Sequence, residues 1–143
     1  MGSFLFLTFG CEKDNSIPIA EIQIPVLTTS SVSDITKTTA ICGGTITSNG
    51  GAEVTARGVC WSISSTPTIA SNKTIDGDDN GSYISEIEGL TLNTTYYVRA
   101  YATNSTGTGY GNVISFKTLS VKAPEVILEQ ISETGINYAK FLL

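Results

Sequence analysis

From residue 26 onward apolar and polar residues alternate in short runs. Seven of these, at 26–31, 38–47, 54–63, 68–76, 82–88, 95–104 and 112–118, are rich in Val, Ile, Thr and Tyr and read as β-strands. Turn chemistry separates them: Asn49-Gly50-Gly51 tolerates positive φ, Asp76-Gly77-Asp78-Asp79-Asn80-Gly81 makes a polar tip, and Gly107 to Gly111 opens the last strand. No long window sustains a helical period. The pattern predicts an all-β sandwich over residues 26–119.

The run 95–104 carries the sharpest alternation. Period two sends Tyr96, Val98, Ala100 and Ala102 to the core and Tyr97, Arg99, Tyr101 and Thr103 to the opposite face. That second row, with Tyr97, Arg99 and Tyr101 at its centre, is the candidate ligand-facing surface. Together with Trp61 and Tyr110 these tyrosines could stack on sugar rings, since aromatic faces with hydroxyl-rich rims suit carbohydrate. In a sandwich, however, Trp61 is expected in the core.

Composition narrows the chemistry. The 143 residues suffice for one domain with short flanks. A net charge of -5, with no basic block, argues against a nucleic-acid partner. The absence of His removes the commonest general base and metal ligand, so neither catalysis nor a cofactor is expected. A hydrolase would need a Ser–Lys or carboxylate pair held in a cleft, and nothing in the sequence marks one.

Two local patterns leave alternatives open. Asp76, Asp78 and Asn80 alternate like the oxygen ligands of a calcium loop, but Ile87 stands where the bidentate Glu belongs, with Glu86 and Glu88 to either side. A solvated hairpin tip is the stronger reading. Cys42 and Cys60 could form a disulfide in an oxidising compartment if their Cα atoms lie within about 7 Å. They could equally be two small buried thiols. A module of about 95 residues can bury a core without a bridge, so reduction is not expected to unfold it.

The N-terminal residues read as an address. Phe4 to Phe9, FLFLTF, is too short to span a bilayer and fits a secretory h-region ending at Gly10-Cys11. This resembles the bacterial lipobox, although Met1-Gly2-Ser3 lacks the usual basic residue. The resemblance implies a signal segment at 1–11, diacylation of Cys11 and membrane attachment through that lipid. Residues 12–25 then form a linker. Its start, Glu12-Lys13-Asp14-Asn15, resembles the short acidic signal of outer-membrane lipoproteins exposed at the cell surface.

The stretch LTLNTTYYVRAYATNSTGTGYGNVISFKT resembles the last two strands of fibronectin type III domains. Leu90, Leu92, Thr94, Tyr96, Val98 and Ala100 fall on that family's alternate positions, with Leu92 replacing its usual Pro. The resemblance implies structural roles for Leu90 and Tyr96, the latter as the corner tyrosine bonded to backbone near the preceding turn. ICGGTITSNGG and RGVCWS extend it to repeat modules of large surface lipoproteins of Gram-negative bacteria, which have no catalytic residues to carry over. APEVILEQISETGINYAKFLL can be laid on IPVLTTSSVSDITKTTAICGG at a constant offset of 99 residues, pairing Pro124 with Pro25 and Ala139 with Ala40. Residues 120–143 are thus expected to begin a second, incomplete repeat. The expected function is a non-catalytic, membrane-anchored module for adhesion, spacing or assembly that meets a glycan or a surface protein. The alternatives are a carbohydrate-binding module and the N-terminal fragment of a secreted carbohydrate-active enzyme.

Overall fold

The computed structural model describes residues 19–123, so Cys11, the signal segment, the first part of the linker and most of the expected second repeat lie outside the described residues. Two antiparallel sheets face each other. One contains β1 (Val26–Thr29), β2 (Ala40–Ser48) and β5 (Gly81–Ile87), in the order β1-β2-β5. The other contains β4 (Asn72–Lys73), β3 (Ala56–Ser62), β6 (Thr95–Thr103) and a last strand split into β7 (Thr108–Tyr110) and β8 (Ile114–Lys117), both paired with β6. The protein is an all-β immunoglobulin-like sandwich with no helix among the described residues.

Alternation fills the space between the sheets. Ala40, Cys42, Val59, Trp61, Ile87, Leu90, Tyr96, Val98 and Phe116 form one buried cluster, and Leu27, Ile46, Val54, Tyr83, Ala100 and Ala102 a second. Each large aliphatic side chain buried there contributes roughly 1.5–3 kcal/mol. Between the clusters the sheets come close at Gly44, where an added Cβ would stand 2.5 Å from the Ala100 Cβ. Residue 44 therefore has no room for a side chain.

Two expected strands differ from the observed ones. The run 68–76 is regular only at Asn72–Lys73, because Ser71 N–H donates to Thr68 O (2.8 Å) and opens the segment as a turn. Past Lys73 it stays bonded to β3 irregularly, through Thr74 N–H to Val59 O (2.9 Å) and Asp76 N–H to Arg57 O (2.7 Å). The last strand begins earlier than 112 and breaks around Gly111, which packs against Thr29, while the Asn112 Oδ1 accepts the Thr29 N–H (3.0 Å).

Chain entry and exit lie at opposite ends. Gln23 N–H donates to Gly50 O (2.8 Å) and Gln23 O accepts from Asn104 Nδ2 (2.7 Å), so the end of the linker is part of the domain, beside the β2–β3 and β6–β7 loops. At the other end Leu119 N–H donates to Thr36 O (2.9 Å) and Leu119 O accepts from Asn93 N–H (3.0 Å). β6 runs between them, which separates the ends by about 30 Å at the rise of a β-strand.

Candidate functional site

The outer face of β6 is where the sequence places a ligand, and much of it is already occupied. Tyr97 and Arg99 are half-buried, whereas Tyr101 is only 2% exposed. The β3–β4 connection and the irregular edge after it lie over this face. Arg99 donates through Nε to Pro67 O (2.7 Å), and its guanidinium lies 3.9 Å from the Tyr110 ring centroid. Tyr110 Oη accepts the Ile69 N–H (3.1 Å), and the Tyr101 hydroxyl donates to Thr74 O (2.6 Å). Tyr101 is therefore a buried fastening for the edge segment, which corrects its assignment to the ligand-facing row. Alternation did send it outward, but a covering segment took up the face.

On the open side of the sandwich, between β3 and β5, polar groups close the gap. Ser85 points inward from β5 with 0% exposure and donates to Asp76 Oδ2 (2.5 Å), which also accepts the Thr74 hydroxyl (2.6 Å). The Tyr83 hydroxyl contacts Gly58 O (2.8 Å) and Tyr101 O (3.2 Å), linking the sheets. Burial, reinforced by the Asp76 charge, raises the Tyr83 hydroxyl well above its ordinary range and pushes Tyr101 up to about 12. Neither is a proton donor or acceptor for chemistry near neutral pH.

Arg57 completes this side. Its guanidinium donates to the carbonyls of Asp76 (3.1 Å), Asp79 (2.6 Å) and Asn80 (3.1 Å) and lies 4.9 Å from the Tyr83 ring centroid. The loop read as a weak calcium candidate thus holds a cation of the chain's own at its carbonyls. Asp76 turns inward to Ser85 while Asp78 and Asn80 are exposed, so the three do not face one centre. Arg57, Thr74, Tyr83 and Ser85 were not singled out from the sequence. Ser85 carried a signal there, a polar residue at an inward position between Tyr83 and Ile87.

The remaining sequence candidates are structural in placement. Tyr96 Oη accepts the Thr91 N–H (3.0 Å), and its ring stacks on Phe116 with centroids 5.9 Å apart. Leu90 and Trp61 lie in the larger core cluster. Cys42 and Cys60 are free thiols on different faces: Cys42 is in the core cluster, whereas Cys60, between the inward Val59 and Trp61, points away from it toward Arg99 O (3.7 Å). That opposition corrects the disulfide alternative. Burial pushes both thiols up, offset in part at Cys60 by the Arg99 charge.

This strand arrangement with its tyrosine corner makes the domain fibronectin type III-like. Comparison of the sequence with family models and with curated proteins gave no match. Among solved structures, the sensor domain of the anti-sigma factor RsgI4 of Pseudobacteroides cellulosolvens aligns at 20% identity over 71% of this chain and 100% of that one, with a TM-score of 0.51. A myokine aligns at 13% identity over 69% of this chain and 99% of that one, with a TM-score of 0.50. A human fibronectin type III domain is also matched, at 24% identity over 78% and 95% of the two chains and a TM-score of 0.45. Likenesses at this identity concern the fold alone.

Proposed function

We propose that this chain is a lipid-anchored outer-membrane module exposed at the cell surface, whose sandwich serves as a non-catalytic spacer in adhesion or assembly. The carrying observation is the path of the chain: it enters beside Gln23 and leaves beside Leu119 at the opposite end, so each copy lengthens a tether by the height of a sandwich. Lipid on Cys11 would hold the entry end toward the membrane. The occupied β6 face supports a spacer over a glycan platform, because Tyr101 is committed to Thr74 and Arg99 to Pro67 and Tyr110.

The test is the mass of the mature N-terminus together with membrane fractionation. A diacylglyceryl adduct on Cys11, with Cys11→Ala moving the protein to the soluble fraction, is the expected result. Unmodified Cys11 in a soluble protein would overturn the anchor.

A further inference from the structure

Sheet edges template the addition of further strands unless they are blunted. Here β1 is folded against the last strand: Gly109 abuts Pro25 O and Thr29 bonds to Asn112. β4 is regular for two residues, carries Lys73 and then turns irregular. β5 is different. It is seven residues long, pairs among the described residues only with β2, and presents Ile84 at 76% exposure.

The direction of its free groups follows from β2. Ile41 exchanges main-chain bonds with Ser33 (2.9 and 2.8 Å) and Gly43 O accepts from Ser30 N–H (3.0 Å), so the odd-numbered residues of β2 turn their N–H and C=O groups toward β1. The even-numbered residues bond to β5, where Cys42 faces Ser85 and Gly44 faces Tyr83. Ser82, Ile84 and Glu86 therefore point their N–H and C=O groups to the open edge. No described residue pairs with them there.

The geometry points to this edge as a docking strand for a second copy of the same chain, paired antiparallel about Ile84. In that register Ile84 meets Ile84, and Ser82 meets Glu86 twice, so the free donors and acceptors of each copy match those of the other. Charge selects it. Centring on Glu86 would oppose two carboxylates, and centring on Ser82 would oppose Glu86 and Asp78, whereas the Ile84 register sets Glu86 against Ser82 and Glu88 against Asn80. The contact is isologous, so it closes as a dimer with one six-stranded sheet rather than a filament.

Cysteine crosslinking of the full chain carrying Cys11→Ala tests this, since Cys42 and Cys60 are buried. Opposed residues in a hydrogen-bonded pair have Cα atoms about 5.5 Å apart, within disulfide reach. Under mild oxidation Ile84→Cys is expected to give a covalent dimer. Ser82→Cys, about 13 Å from its own copy, is expected to crosslink at least about tenfold more slowly. Ser82→Cys combined with Glu86→Cys is expected to restore the fast rate. Ile84→Pro removes an N–H unused within one copy, so it is expected to abolish self-association in sedimentation while leaving melting nearly unchanged. Equal crosslinking at 82 and 84, a dimer that survives Ile84→Pro, or a parent chain monomeric at every concentration would overturn the proposal.

Discussion

Single hydroxyl groups fasten this sandwich where apolar packing cannot. Tyr96→Phe leaves the Thr91 N–H without its acceptor and is expected to cost about 1–3 kcal/mol, read from the midpoint of urea unfolding. Tyr101 gives a pH signature. Its folded-state pKa is raised to about 12, so the unfolded chain loses the proton first. The stability it contributes is whole below about pH 10 and lost as pH climbs toward 12. Tyr101→Phe is expected to make this part of the pH–stability curve shallower, with the raised Tyr83 hydroxyl keeping the remainder of the slope. Cys42 and Cys60 are expected to resist a thiol reagent until the protein unfolds, and dithiothreitol to leave its melting temperature unchanged. At this scale the sequence spoke unevenly. The resemblance of Leu90 to Ala100 to fibronectin type III strands marked Tyr96, because the corner is local. The fate of Tyr101 depended on a segment about thirty residues earlier folding over it, and no periodicity reports that.

The long strands were legible as elements because one face of each is buried and period two is then enforced. β2, β3, β5 and β6 lie within a residue or two of where alternation places them. The edge segment after β3 was not, since only Asn72–Lys73 pair regularly with β3 and the rest is held by irregular main-chain bonds and by Tyr101, Tyr110 and Arg99 on the outer face of the sheet. Two element-scale tests follow from close approach and from the captive loop. Gly44→Ala forces β2 and β6 apart at Ala100 and is expected to destabilise by about 1–3 kcal/mol in thermal or denaturant melts. Arg57 holds three carbonyls of the β4–β5 connection, so about 1 mM calcium is expected to leave the melting temperature of the parent chain unchanged. Arg57→Ala is expected to make residues 77–80 susceptible to protease, and a calcium-dependent rise in melting of the parent chain would contradict the reading of that loop.

For the whole molecule, the sandwich follows from the alternating runs and turn spacing, and the corner tyrosine from the resemblance of the run around Tyr96 to fibronectin type III domains, whereas the order of strands within each sheet was not read from the sequence. The absorption of Gln23 and Pro25 into the domain was not apparent, because a linker that docks by main-chain bonds to Gly50 and Asn104 has no distinctive composition. That docking fixes where the chain enters, and so the span between entry and exit on which the spacer role depends. The direct measurement is the distance between spin labels at Gln23→Cys and Leu119→Cys, both exposed positions, in the chain carrying Cys11→Ala. A single narrow distribution centred at roughly 30–40 Å is expected from the length of β6. A distance below about 20 Å would bring both ends of the domain to the same side and contradict the spacer.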